Sequence, residues 1–148
     1  MNLHREEYIT LSHFFLDNIR ICEYSNVSMA DIKDILFAYS EEIRLRIILL
    51  LRNSRICVNC IVDATTLPQP TVSRHLGLLR RTGMVKMTKD KVHCYYSLNE
   101  NDPFGLLKKG LTKTFSGSLK NANPFKGDFK RLMKVQNCCD AACKIGTR

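Results

Sequence analysis

The chain has no run of eighteen apolar residues, so it offers no candidate for a membrane-spanning helix. Its first residues, MNLHREEYITL, carry Glu6 and Glu7 and lack the charged-then-apolar layout of a secretory leader. The expectation is a cytoplasmic protein with no membrane partner. Without an export signal the seven cysteines, an odd number, do not read as a disulfide framework. There is no internal repeat or low-complexity tract. There is also no phosphate-cradling glycine loop, no nucleophile paired with a base and no histidine placed to activate a thiol, which argues against an enzyme.

What is present is a basic, moderately apolar chain of 148 residues with a net charge of +9. The charge is uneven. Residues 1–48 hold 5 basic and 8 acidic side chains, residues 49–100 hold 8 and 3, and residues 101–148 hold 10 and 3. A basic surface over the last two-thirds attracts nucleic acid or anionic lipid through phosphate neutralisation and counterion release.

The periodicity predicts a mostly α-helical domain with a small β-hairpin. Ile9, Leu11, Phe14, Phe15, Ile19 and Ile21 suggest a first helix over Tyr8–Tyr24. Ser28 or Asp31 can cap the next helix, and Ser40 divides the apolar segment Ile32–Leu51 in two, capping its second half with Glu41 and Glu42 in the first turn. That second half is apolar nearly all round and should be the buried centre. A short unit over Ile56–Ala64 and the turn signal TTLPQP precede a helix from Gln69 to about Thr82. Its stripe of Val72, Leu76 and Leu79 faces inward, while Gln69, Thr71, Ser73, Arg74 and His75 face elsewhere. Gly83 suits the residue past its end. The period then changes to two, and Met84–Thr88 and Val92–Leu98 predict a hairpin around Lys89-Asp90-Lys91. A helix from Asp102 to Leu119 shows Phe104, Leu107, Leu111 and Phe115 on one face. Asn121 to Pro124 breaks it, Phe125–Met133 can be helical, and the chain beyond Val135 is expected to be weakly ordered. This divides the chain into a domain over 1–120 and a cysteine-bearing tail over 121–148.

Helix, helix-turn-helix and two-stranded wing make a winged helix-turn-helix, a DNA-reading unit. Gln69, Thr71, Ser73 and His75 offer short donors and acceptors to base edges, and Arg74 can reach guanine or phosphate. Arg80, Arg81, Lys86, Lys89 and Lys91 would meet phosphates, fixing register without reading sequence.

LPQPTVSRHLGLLRRTGMVK followed by KVHCYYSL resembles the recognition helix and wing of the ArsR/SmtB family of metal-sensing repressors. AYSEEIRLRIILLL resembles that family's alternating D-x-x-R-x-x-I-L helix, with Glu42, Arg44, Leu45 and Ile47 in corresponding places. The resemblance covers roughly residues 35–100. It implies a homodimer built through the first and last helices, bound to a palindromic operator in double-stranded DNA and released by metal or oxidant.

Arsenic- and cadmium-sensing members of that family carry a C-V-C motif before the turn. Here RICVNCIVDA matches it at Cys57 and Val58, but Asn59 replaces the second cysteine and Cys60 follows one position later. Two thiolates alone do not close a zinc or trigonal arsenic site. The segment NCCDAAC groups Cys138, Cys139 and Cys143, and three thiolates without a nearby histidine suit a soft three-coordinate ion such as trivalent arsenic. The expectation is therefore arsenite, or a similar thiophile, held by Cys138, Cys139 and Cys143, with Cys57 and Cys60 as the alternative site. Cys22 and Cys94 read as packing residues. The family's zinc, nickel and cobalt sensors use paired Asp and His on the last helix, and Asp102–Leu119 has no histidine. One rival keeps the fold but makes the signal a thiol redox or persulfide crosslink between two cysteines. Another is an enzyme or metal carrier that uses the cysteine tail beside a protein-interaction module.

Overall fold

The computed structural model describes residues 28–90 and 93–145, with 136–145 as backbone only. The elements run α1 (Met29–Tyr39), α2 (Glu42–Leu50), β1 (Ile56–Cys57), α3 (Val58–Thr65), α4 (Gln69–Arg81), β2 (Val85–Asp90), β3 (His93–Leu98), α5 (Gly105–Leu119) and α6 (Phe125–Ile145). The helix predicted over Tyr8–Tyr24, half of the predicted dimer contact, lies outside the described residues, as does Lys91.

Helix α2 fills the centre, as its all-round apolar pattern predicts: Ile47, Ile48, Leu49 and Leu50 are buried. Around them pack Ile35 and Ala38 of α1, Ile61 and Ala64 of α3, and Val72, Leu76 and Leu79 of α4. Each large side chain so buried contributes about 1.5–3 kcal/mol. The α1–α2 junction shows why two helices form there. The cap of α2 is not Ser40 but Glu41, whose carboxylate accepts from the amides of Ile43 and Arg44. Ser40 turns back and donates to the Phe37 carbonyl. A carboxylate at a helix N-terminus gains from the helix dipole as well as from the hydrogen bonds, and a serine gains only the bonds. Arg44, buried, closes the other side. Its guanidinium donates to the carbonyls of Phe37 and Ala38 that end α1.

The hairpin is a ladder from Val85 opposite Leu98 to Asp90 opposite His93. It has a third strand that alternation could not reveal. Ile56 and Cys57 pair with Tyr96 and Tyr95, so the sheet order is β1-β3-β2. Two residues are too few to show a period. The strand ties the base of the wing to the start of α3.

Helix α5 is introduced by Asp102, whose carboxylate accepts from the Phe104 amide. Phe104, Leu107, Leu111 and Phe115 pack against the core, as their spacing predicts. Helix α6 departs from expectation. It continues past Val135 to Ile145, because no glycine or proline lies between Val135 and Gly146. Its first turns enter the domain, with Phe125, Asp128 and Leu132 buried. Thus part of the segment assigned to a tail is core.

Candidate nucleic-acid interface

Helices α3 and α4 are joined through Thr66, Leu67 and Pro68. Thr66 has φ 55°, a left-handed conformation that costs a β-branched residue energy. Its amide donates to the Val62 carbonyl, which ends α3 in a sharp turn. The Pro68 carbonyl then accepts from Thr71 and Val72, and Pro70 sits in the first turn of α4, where a missing N–H is harmless. At the far end Gly83, φ 65°, forms a Schellman closure. Its amide donates to the Arg80 carbonyl and the Met84 amide to that of Leu79. Both ends of α4 are therefore fixed by backbone geometry.

Of the residues predicted to read DNA, Gln69, Ser73 and Arg74 are exposed on α4 and Thr71 is half-buried beside them. Arg80 and Arg81 are exposed in its last turn, and Lys86 and Lys89 on β2. Arg80 reaches the wing, with Nη1 3.6 Å from the sulfur of Met87. These side chains give a helix face carrying amide, hydroxyl and guanidinium groups, bordered by cations on one sheet edge.

His75 does not belong to that face. It is 5% exposed and packs inward beside Val72, Leu76 and Leu79. Its Nδ1 lies 3.2 Å from a Glu41 carboxylate oxygen, yet neither ring nitrogen makes a well-aligned hydrogen bond among the described residues. Burial holds its pKa below the ordinary histidine value; Glu41 opposes this, and Arg74 and Arg44 add to it. A stripe of i, i+4 and i+7 leaves room for a fourth inward position at i+3, and His75 takes it.

Sequence reasoning missed two positions. Gly77 is exposed on α4, two turns from Gln69 and one from Ser73, and a Cβ there would meet nothing within 4 Å. Lys108 is 3% exposed, and its ammonium donates to the Gly83 carbonyl (2.8 Å) and pairs with Asp102. It braces the junction of recognition helix and wing from α5, where Tyr39 also donates to the Lys108 carbonyl. The signal was a lysine four residues after Phe104, within an apolar stripe.

The two cysteines before the turn are brought together. Cys57 is the N-cap of α3 rather than part of it, its Sγ accepts from the Cys60 amide, and the two sulfurs are 3.1 Å apart. Both are buried. Among the described residues no third histidine, cysteine or carboxylate joins them in a metal-holding group. Cys138, Cys139 and Cys143 lie in the last turns of α6, where only the backbone is described. Cys139 and Cys143 are one helical turn apart.

A left-handed turn between two short helices, an outward polar face on the second and a three-stranded wing define a winged-helix transcriptional regulator. Residues 41–87 match the model of the arsR family of bacterial regulatory proteins. An HTH-type transcriptional regulator of Methanocaldococcus jannaschii is 39% identical over 64 residues, 43% of this chain and 72% of that protein. The transcriptional repressor SmtB of Mycobacterium tuberculosis is 37% identical over 68 residues, 46% of this chain and 50% of that protein. The solved structure of HlyU from Vibrio cholerae superposes with a TM-score of 0.55 at 26% identity, covering 61% of this chain and 92% of that one. The chain belongs to the arsR family. These relatives are transcriptional regulators, and no helix of the described residues is long and apolar enough to cross a membrane.

Proposed function

We propose that the chain is a homodimeric transcriptional repressor of double-stranded operator DNA, released by a thiophilic inducer, arsenite, bound at Cys138, Cys139 and Cys143. The observation that carries the DNA reading is the outward face Gln69, Ser73, Arg74 and Gly77, bordered by Arg80, Arg81, Lys86 and Lys89. Short polar groups there meet base edges in the major groove, and the cations beside them meet phosphates. One such helix covers a half-site, so a dimer reading two half-sites a helical turn apart supplies the specificity a single domain lacks. SmtB of Mycobacterium tuberculosis bears the name repressor.

For the inducer, the support is donor chemistry. Three thiols within six residues match the trigonal pyramid of trivalent arsenic, whereas zinc wants a fourth ligand. Inducer and DNA then oppose one another by the same factor in either direction. A second reading rests on the 3.1 Å approach of Cys57 and Cys60. A separation this short suits a narrow dithiol chelate and falls short of the span across a linear two-coordinate ion.

Fluorescence anisotropy with duplexes from the chain's own promoter, at stated salt, tests both parts. The expected result is specific binding, abolished by arsenite in the parent and retained under arsenite when Cys138, Cys139 and Cys143 are all serine. Undiminished release from that triple variant moves the site to Cys57 and Cys60. Failure to distinguish any promoter duplex from random DNA sinks the repressor reading.

A further inference from the structure

Helix α6 lies outside residues 41–87, which match the arsR family model, yet it is bonded directly to the helix-turn-helix. Asp128, 1% exposed, takes two hydrogen bonds from Arg46 of α2, Nε to Oδ2 at 2.7 Å and Nη2 to Oδ1 at 2.9 Å. It takes a third from Arg131 Nη2, at 2.7 Å to Oδ1. Each arginine also donates to a carbonyl at the end of α3: Arg46 Nη2 to Thr65 at 2.7 Å and Arg131 Nε to Ala64 at 2.6 Å. These are two of the carbonyls that a helix leaves without partners at its C-terminus. The residue that follows them is Thr66, whose left-handed backbone launches the recognition helix.

Two arginines, one carboxylate and two terminal carbonyls thus form one connected set. The carboxylate supplies the charge that keeps both guanidinium groups in place, and the pairing holds the Arg46 pKa above its usual value. Planar guanidinium groups aim their donors along fixed directions, so the set constrains orientation as well as distance. A domain could close the end of α3 with water. Here the closure comes from the helix that bears Cys138, Cys139 and Cys143.

We infer that Asp128 and Arg131 are positioning residues for DNA recognition, making the presentation of α4 depend on the placement of helix α6. Resting on the thiol-inducer reading above, the same bonds give a ligand at Cys139 and Cys143 a rigid path of about 16–22 Å along one helix to the turn that aims the recognition helix.

The test uses the full chain. Arg131→Met removes the Ala64 bond and leaves the Arg46–Asp128 pair intact; Arg131 is half-exposed, so this variant is expected to fold where Asp128→Asn can fail. Arg131→Lys is the conservative control. Amide hydrogen exchange at Thr66, Thr71 and Val72 should accelerate in Arg131→Met, with core amides of α2 unchanged, and the lysine variant should recover most of the protection. Specific operator affinity should fall about tenfold, with random-duplex affinity and salt slope unmoved, because Arg131 neutralises no phosphate. Unchanged exchange at the turn overturns the inference whatever the protein does with DNA. So does faster exchange with an unchanged ratio of specific to random binding. A parent that shows no preference for any duplex sinks the repressor reading instead, and the exchange result then decides the role of the two residues alone.

Discussion

At position 75 the helix that faces outward at Ser73 and Arg74 turns an imidazole inward, against Glu41, the cap of α2. Burial disfavours the imidazolium there, so the folded chain takes up its proton at lower pH than the unfolded chain does. Between the ordinary histidine value, about 6.5, and the depressed value in the fold, the unfolded state binds more protons. Stability from His75 is therefore complete above about pH 6.5 and is lost as pH falls through that window. Urea midpoints at pH 7.5 and 5.5 should show a loss at the lower pH that shrinks in His75→Leu, which has nothing to protonate. An identical loss in both proteins would show that the imidazole is not the group responsible.

At the scale of the element, α4 carries a glycine where helix propensity favours alanine. Gly77 is interior to the helix and exposed, with open space beyond its Cα. Alanine should stabilise the free chain by up to about 1 kcal/mol. It also adds a methyl on the face of Gln69 and Ser73, the face proposed to meet a duplex. Gly77→Ala should thus melt a few degrees higher, by an amount typical of a chain this size, and bind operator more weakly. A variant that is both more stable and equally tight would show that the glycine serves no close approach. The elements themselves were legible to different degrees. The stripes of α2 and α4, the hairpin alternation and the apolar face of α5 each span enough residues to reveal a period. Strand β1 has only two residues, and at the start of α2 a serine and a glutamate stand side by side as capping residues, so residue type alone does not choose between them. His75 was misplaced because its chemistry suggests a base contact while its phase on the helix points to the core. Lys108 could not be placed from a single helical pattern because its partner is another element's carbonyl, and Gly77 gives such a pattern no side chain to read.

For the whole molecule, the division between domain and tail falls within α6. Truncation after Ala122 removes Phe125, Asp128 and Leu132 and leaves the buried Arg46 guanidinium without its carboxylate. Breaking a buried pair in this way costs about 3–5 kcal/mol, a large share of ordinary domain stability. Truncation after Val135 keeps those three residues and Arg131 and removes every tail cysteine. Urea unfolding and operator binding should show the longer truncated chain close to the parent and the shorter one destabilised, with the longer one deaf to arsenite. Two equally stable truncations would mean that α6 adds nothing to the core. None of this could be read from periodicity, since Asp128 and Arg46 are 82 residues apart.

The receptor for Asp128 is Arg46, inside the stretch that matches the arsR family, while Asp128 itself lies beyond it. The C-terminal helix is therefore not a freely interchangeable module here. A chimera that carries this C-terminal helix on a relative lacking the buried arginine would inherit cysteines with no socket. A relative's terminus grafted onto this chain would leave a stranded cation at the centre of the fold. Swaps within the family should succeed or fail as matched pairs, with position 46 exchanged together with position 128.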